Sequence, residues 1–78
     1  MDINTFVKEF AAQFDVTPAE TFTAETKFRE VEEWDSMLAL SVIAMVDEKS
    51  NVRLTGDDIR NSNTIGEIFE KVSAKLNG

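Results

Sequence analysis

The sequence predicts an all-α fold: a small four-helix bundle of three longer helices and one short one, with a long loop between the first and second helices. Three observations carry this expectation. Apolar residues recur at spacings of three and four in separate stretches, residues able to cap a helix precede those stretches, and no run alternates as a half-buried strand would. With 78 residues, the chain is expected to form a single domain over 1–78, in which a chain of this length buries only about 60% of its unfolded surface. No repeat, low-complexity tract or second domain interrupts it.

The first element rests on Ile3, Phe6, Val7, Phe10 and Phe14, whose spacing predicts an amphipathic helix over residues 3–15 with Asp2 near its start and phenylalanines on its buried face. From Asp15 to Asp35 the pattern breaks into polar and acidic residues. Thr17, Pro18, Ala19 and Glu20 have capping-box spacing with Pro at the first helical position, which suggests one short turn. The rest reads as a long loop, pinned to the core by Phe22, Phe28 and Val31. Residues 36–50, free of Gly and Pro, are the second helix. Thr55 caps a short helix at about 57–61, with Asp57 and Asp58 in its first turn and Ile59 pointing inward. Thr64 and Glu67 open the last helix, where Ile65, Ile68, Phe69, Val72 and Leu76 keep helical spacing.

Composition narrows the chemistry. The chain has no Cys and no His, which removes thiol nucleophiles, disulfides, the usual zinc ligands and the side chain best suited to proton shuttling near neutral pH. Unaided catalysis is not expected. No signal-peptide pattern opens the sequence, and Ser36 to Val46, its longest uncharged stretch, is too short to span a bilayer, so a cytoplasmic monomer is expected. The net charge is −7, and it is unevenly spread. Glu30, Glu32, Glu33, Asp35, Asp47 and Glu48 carry −6 between residues 30 and 48 with no Lys or Arg, while nine acids and eight bases leave −1 elsewhere. Such a field argues against nucleic acid or insertion at an anionic membrane and for electropositive protein partners, the plain alternative being a surface that aids solubility. The acids lack the alternating spacing of a calcium loop, so no metal site is read from them.

Residues 32–40 are the most informative stretch, because they put Ser36 behind an aspartate at the opening of an apolar helix. Asp35 can accept from a free backbone N–H there, and a phosphate ester on Ser36 would meet unpaired amides and the positive end of the helix dipole. An ordinary cap pair with no chemistry is the alternative. Around the second helix, Ala39, Val42, Ile43 and Val46 share one side with Leu40 at its border, which reads as core. Met37, Ser41, Ala44 and Glu48 share another side, where a solvated helix would normally be charged. This second side reads as a docking stripe, unless Met37 and Ala44 pack beneath the loop.

Together these parts resemble acyl carrier proteins over nearly all of the chain. The resemblance lies in Asp35-Ser36-Met37, where the family usually has Asp-Ser-Leu, in Phe28 and Glu30 upstream, and in Asn63-Thr64-Ile65 at the last helix. It implies that Ser36 receives 4′-phosphopantetheine from coenzyme A through a magnesium-using phosphopantetheinyl transferase, with Asp35 holding the helix start and helping to orient the transferase metal. It further implies that the terminal thiol carries an acyl or aminoacyl group as a thioester, passed between acyl- or aminoacyl-loading and acyl-transfer enzymes. Partners are then expected at Met37, Leu38, Ser41, Ala44, Asp47 and Glu48. The acyl chain has two routes, one near Ile43, Val46 and Ile59 and one along the surface.

The sequence also departs from the family pattern. Glu33 stands where the family often has glycine, Trp34 takes a usually small position, and Leu38 and Ser41 fall where fatty-acid carriers tend to have acids. Trp34 either alters the transferase contact or covers the core beside the helix opening. These changes favour a stand-alone carrier in a specialised pathway, such as polyketide, nonribosomal peptide or modified sugar or lipid assembly. A fatty-acid carrier and an unmodified helical interaction module are the alternatives.

Overall fold

Phe10 sets the architecture, because its ring meets aromatic side chains from every part of the first half of the chain. The computed structural model describes residues 1–77, and in it the Phe10 centroid lies 6.3 Å from Phe6, 5.9 Å from Phe14, 6.5 Å from Phe22, 5.8 Å from Phe28 and 6.0 Å from a stacked Trp34. Around this cluster are four α-helices and, among the described residues, no strand: α1 Ile3–Ala11, α2 Ser36–Ser50, α3 Gly56–Arg60 and α4 Ile65–Asn77. Helix α1 packs on α4 and α2, and α3 packs on α2 and α4. The radius of gyration, 11.2 Å, matches the roughly 11.5 Å of a well-packed chain of this length.

Helix α1 begins as its sequence dictates, with the Asp2 carboxylate accepting from the Thr5 amide at 2.8 Å. It ends earlier than the expected residue 15. After Ala11 the backbone tightens, so that Gln13 N–H bonds the Phe10 carbonyl and Phe14 N–H bonds that of Ala11, the narrower turn that often closes a helix. This lets the Phe14 ring approach Phe22 to 4.7 Å.

Residues 12–35 contain two short 3-10 turns, Ala19–Thr21 and Phe28–Glu30. As expected, Phe22 and Phe28 are buried and Val31 packs partly against the core. The expected capping box at Thr17 does not form: Pro18 precedes the first short turn without a side-chain cap, and the Thr17 hydroxyl donates to Glu33 at 2.7 Å instead. The segment also serves α4, whose first amides have no partner within their own helix. Ile65 N–H bonds the Thr26 carbonyl at 3.1 Å and Gly66 N–H bonds that of Ala24 at 2.8 Å. A Cβ on Gly66 would come within 3.1 Å of the Ala24 oxygen, so a larger residue there would have to push that carbonyl back by a few tenths of an ångström. Arg29 adds a further tie, donating to the Ile59 carbonyl and the Asn63 side chain while its guanidinium lies 5.0 Å from the Phe28 centroid.

Helix α2 spans the expected residues and ends at Asn51, which takes the left-handed conformation at φ 56° that asparagine tolerates better than most residues. Val52 and Leu54 then alternate with exposed residues along the connection to α3 and are buried. At Thr55 the expected cap is present in full as a reciprocal pair with Asp58, and α3 runs one residue earlier than expected. Asp58 then binds α4 through Lys75 at 3.2 Å, while its carbonyl accepts from Lys71 and from the fully buried Ser62 hydroxyl. On α4, Ile65, Ile68 and Val72 are buried and Phe69 partly so, whereas Leu76 is exposed.

The main correction concerns the rotation of α2. Its buried residues are Leu38, Val42, Met45 and Val46, with Ala39 and Ile43 only partly covered and Leu40 61% exposed. Leu38, expected on the docking face, therefore belongs to the core, and Leu40 has the opposite fate. Leu38→Ala should lower the free energy of unfolding by about 2 kcal/mol or more, whereas Leu40→Ala should change it by less than about 0.5 kcal/mol. Urea denaturation of the two variants checks this difference.

Candidate functional site

The site begins where the extended backbone of Asp35, at φ −154°, turns into α2. Asp35 Oδ1 accepts from the Leu38 amide at 2.9 Å and its carbonyl accepts from Ala39 at 3.1 Å. Ser36 is thus the first residue of the helix, and it is exposed. The backbone N–H groups at this position have no acceptor within the helix, and the helix dipole is positive there. An anionic ester on the Ser36 oxygen would stand at that end without entering the core.

Behind Ser36 runs one continuous exposed face. Ser36, Met37, Leu40, Ala44, Asp47 and Glu48 are exposed, while Leu38, Val42, Met45 and Val46 fill the opposite arc of the helix. Met37 is 69% exposed and Ala44 is exposed too, so neither packs beneath residues 12–35. Ser41 is half-buried at the edge, where Ser41, Ala44 and Glu48 border a shallow groove shared with Glu9 and Gln13 of the α1 side. Lys49 crosses that groove to Glu9 at 3.7 Å. Of the expected docking residues, the structure brings together Met37, Ala44, Asp47 and Glu48, sets Ser41 at their margin, removes Leu38 and adds Leu40. The last could have been found only by knowing which arc of an almost wholly apolar helix faces inward.

The acidic residues between positions 30 and 48 divide into two kinds. Glu30, Glu32, Asp35, Asp47 and Glu48 are exposed, and among the described residues the ion pairs are Lys49–Glu9, Arg60–Asp57 and Lys75–Asp58. None of these five carboxylates is in an ion pair among the described residues, and they flank α2 at both ends, Glu30, Glu32 and Asp35 near Ser36 and Asp47 and Glu48 about 17 Å along the axis at the far end. Glu33 is different. Its carboxylate accepts from the Asp15 amide at 2.7 Å, from the Val16 amide at 3.2 Å, and from the Thr17 amide and hydroxyl at 2.9 and 2.7 Å. The Thr17 hydroxyl, followed by these backbone amides, holds the Glu33 carboxyl below the usual carboxylate range against the opposing effect of desolvation. Sequence reading missed this role because Glu33 is sixteen to eighteen positions from its partners.

Beside Glu33, Trp34 is half-buried, stacked on Phe10 and edge-on to Phe28 at 4.9 Å. It covers the core beside the opening of α2, one of the two fates expected for it. On the proposed acyl route, Val46 and Ile59 are buried in the core and Ile43 is partly covered. A cleft of about 720 Å³ lies instead between α1 and residues 19–25, lined by Val7, Ala11 and Phe22 with Lys8, Glu20 and Glu25 around it. Among the described residues no cluster of three or more carboxylates is placed to hold a metal ion, and no helix is long and apolar enough to cross a membrane. Comparison with protein-family models, curated proteins and solved structures finds no match to this chain.

Two stability tests follow from the geometry. Asp35→Ala should cost about 1 kcal/mol, the usual value of a side-chain cap, measured by urea denaturation. Asp2, Glu33 and Asp58 all have lowered native pKa values, caused first by hydrogen bonds from Thr5, Thr17 and Thr55 respectively. As pH falls, the unfolded chain therefore binds protons before the native one, and the stabilisation, complete above about pH 5, is lost as pH drops through ~4 toward the lowered native values. The thermal midpoint at fixed salt should fall over that interval, less steeply in Glu33→Gln.

Proposed function

We propose that this chain is a carrier domain that holds acyl or aminoacyl intermediates on a 4′-phosphopantetheine arm esterified to Ser36. One observation carries the reading: an exposed serine is the first residue of α2, is fixed by the Asp35 cap and stands at the head of an exposed apolar face flanked by carboxylates. The order of elements supports it, with a long first connection followed by the capped second helix, one short helix and an amphipathic last helix. The absence of Cys and His fits a domain whose reactive group is borne by its cofactor.

In the loading reaction the Ser36 oxygen attacks the β-phosphorus of coenzyme A. A phosphoester to Ser36 forms, the bond to the nucleotide oxygen breaks, and adenosine 3′,5′-bisphosphate leaves with the bonding electron pair. The serine proton passes to a base of the transferase, which also supplies magnesium. Asp35 keeps the helix opening in place, and the exposed position of Ser36 leaves room for an enzyme to approach. When bound, the prosthetic group supplies a thiol that carries cargo as a thioester.

Docking belongs on this reading to Met37, Leu40 and Ala44, with Ser41 at the margin, and the field of Glu30, Glu32, Asp47 and Glu48 steers basic partner surfaces toward Ser36. An exposed face so apolar next to the attachment point supports a dedicated partner set and a specialised pathway over general fatty-acid synthesis, because specificity is a difference between affinities. If purified fatty-acid synthase enzymes accept the loaded protein as fast as their own carrier, the specialised assignment fails.

The deciding experiment incubates the protein with coenzyme A, magnesium and a broad-specificity transferase and measures intact mass. One phosphopantetheinyl unit is expected on the wild type and none on Ser36→Ala. No gain with several transferases, while a protein partner still binds, would select an unmodified interaction module. On the loaded protein, Met37→Arg should slow acyl delivery while leaving the thermal midpoint essentially unchanged, as expected for a substitution at an exposed site.

A further inference from the structure

We infer that Glu33 is a positioning residue for Ser36, a latch that fixes the entry to α2 by binding the turn at residues 15–17. The inference rests on the carrier reading for its functional half. Its structural half rests on distances alone: one carboxylate gathers the Asp15, Val16 and Thr17 amides and the Thr17 hydroxyl within 2.7 to 3.4 Å. Three successive amides converging on one anion make a small nest, and a carboxylate filling it is held more firmly than one paired to a single donor.

Only Trp34 and Asp35 separate Glu33 from Ser36, and each is itself held. Trp34 donates its backbone N–H to the Val31 carbonyl at 3.0 Å and stacks its ring on Phe10, while Asp35 caps the helix through the Leu38 amide. The backbone leading to Ser36 therefore has three anchors: an apolar one in the core, a local one in the helix, and one to the distant turn. Glu33 is the polar tie between the helix entry and the turn at residues 15–17, beside the apolar contact of Trp34 with Phe14, whose ring centroids are 6.2 Å apart. That turn forms a wall of the shallow depression beside the site, which Gln13, Asp15, Glu33, Asp35 and Met37 line. Releasing the latch would loosen both the approach to Ser36 and the direction of its hydroxyl, and misplacement of a nucleophile costs rate steeply.

The test uses Glu33→Gln in the full chain, since glutamine keeps the size but sets an NH₂ group against backbone donors. Loading of the unmodified protein by a broad-specificity transferase should slow roughly tenfold in kcat/KM, at a temperature where both proteins are folded, and the loss should persist at high salt. Glu32→Gln removes the same charge from an exposed neighbour, so its effect should be smaller and should vanish as salt screens it. Equal loading of Glu33→Gln and wild type, or a loss that matches Glu32→Gln at every salt concentration, would overturn the latch as a positioning device and leave it a structural contact. Amide NMR spectra read the coupling without any transferase. Asp15, Val16, Thr17 and Ser36 should shift together in Glu33→Gln. A Ser36 amide that stays in place while the turn moves refutes the coupling, whether or not the wild type accepts the prosthetic group.

Discussion

The structure depends on the aromatic cluster centred on Phe10. A chain this short has little core to spend on local order, and residues 12–35 lack the continuous hydrogen bonding of a long helix. What holds them is the burial of Phe14, Phe22, Phe28 and part of Trp34 against one ring of α1. Large aromatic side chains supply much apolar area per residue, and tilted or stacked pairs add to it. The same cluster fixes the entry of α2, because Trp34 is both a member of it and the second residue before Ser36. Core packing and site geometry are therefore one constraint.

Hydrogen bonding completes what the aromatics begin. The irregular segment gives carbonyls to the free amides of α4, a guanidinium to the end of α3 and three amides to Glu33. Each contact satisfies a polar group that would otherwise be left open at a helix end or a turn. Residues 12–35 serve as the common cap of several helices, which is why so irregular a stretch joins a single packed body.

Helix α2 then separates two tasks on one rod. Leu38, Val42, Met45 and Val46 secure it to the core, and Met37, Leu40 and Ala44 remain on the surface beside Ser36. An exposed apolar face adds nothing to the stability of this chain alone, and it leaves the helix with hardly any amphipathic contrast. Its presence between exposed carboxylates at either end of α2 is intelligible on the carrier reading as recognition surface, with charge guiding approach and apolar contact selecting the partner.

The sequence by itself determined the helices, because their signals are local: Thr55 with Asp58, Asp2 with Thr5 and Asp35 with Leu38 are three residues apart, and the spacing of Phe6, Phe10, Ile65, Ile68 and Val72 marks the buried faces of α1 and α4. It also placed Ser36 at the opening of α2. Tertiary structure alone decided which way α2 rotates, since a helix apolar from residue 37 to 46, apart from Ser41, has no polar stripe to reveal its outer side. It likewise decided the end of α1, where the attraction of Phe14 for Phe22 competes with helix continuation, and the role of Glu33, whose partners lie in a distant turn. Local patterns report what neighbours along the chain do to one another, whereas rotation and long-range anchoring depend on surfaces that meet only when the whole chain has packed.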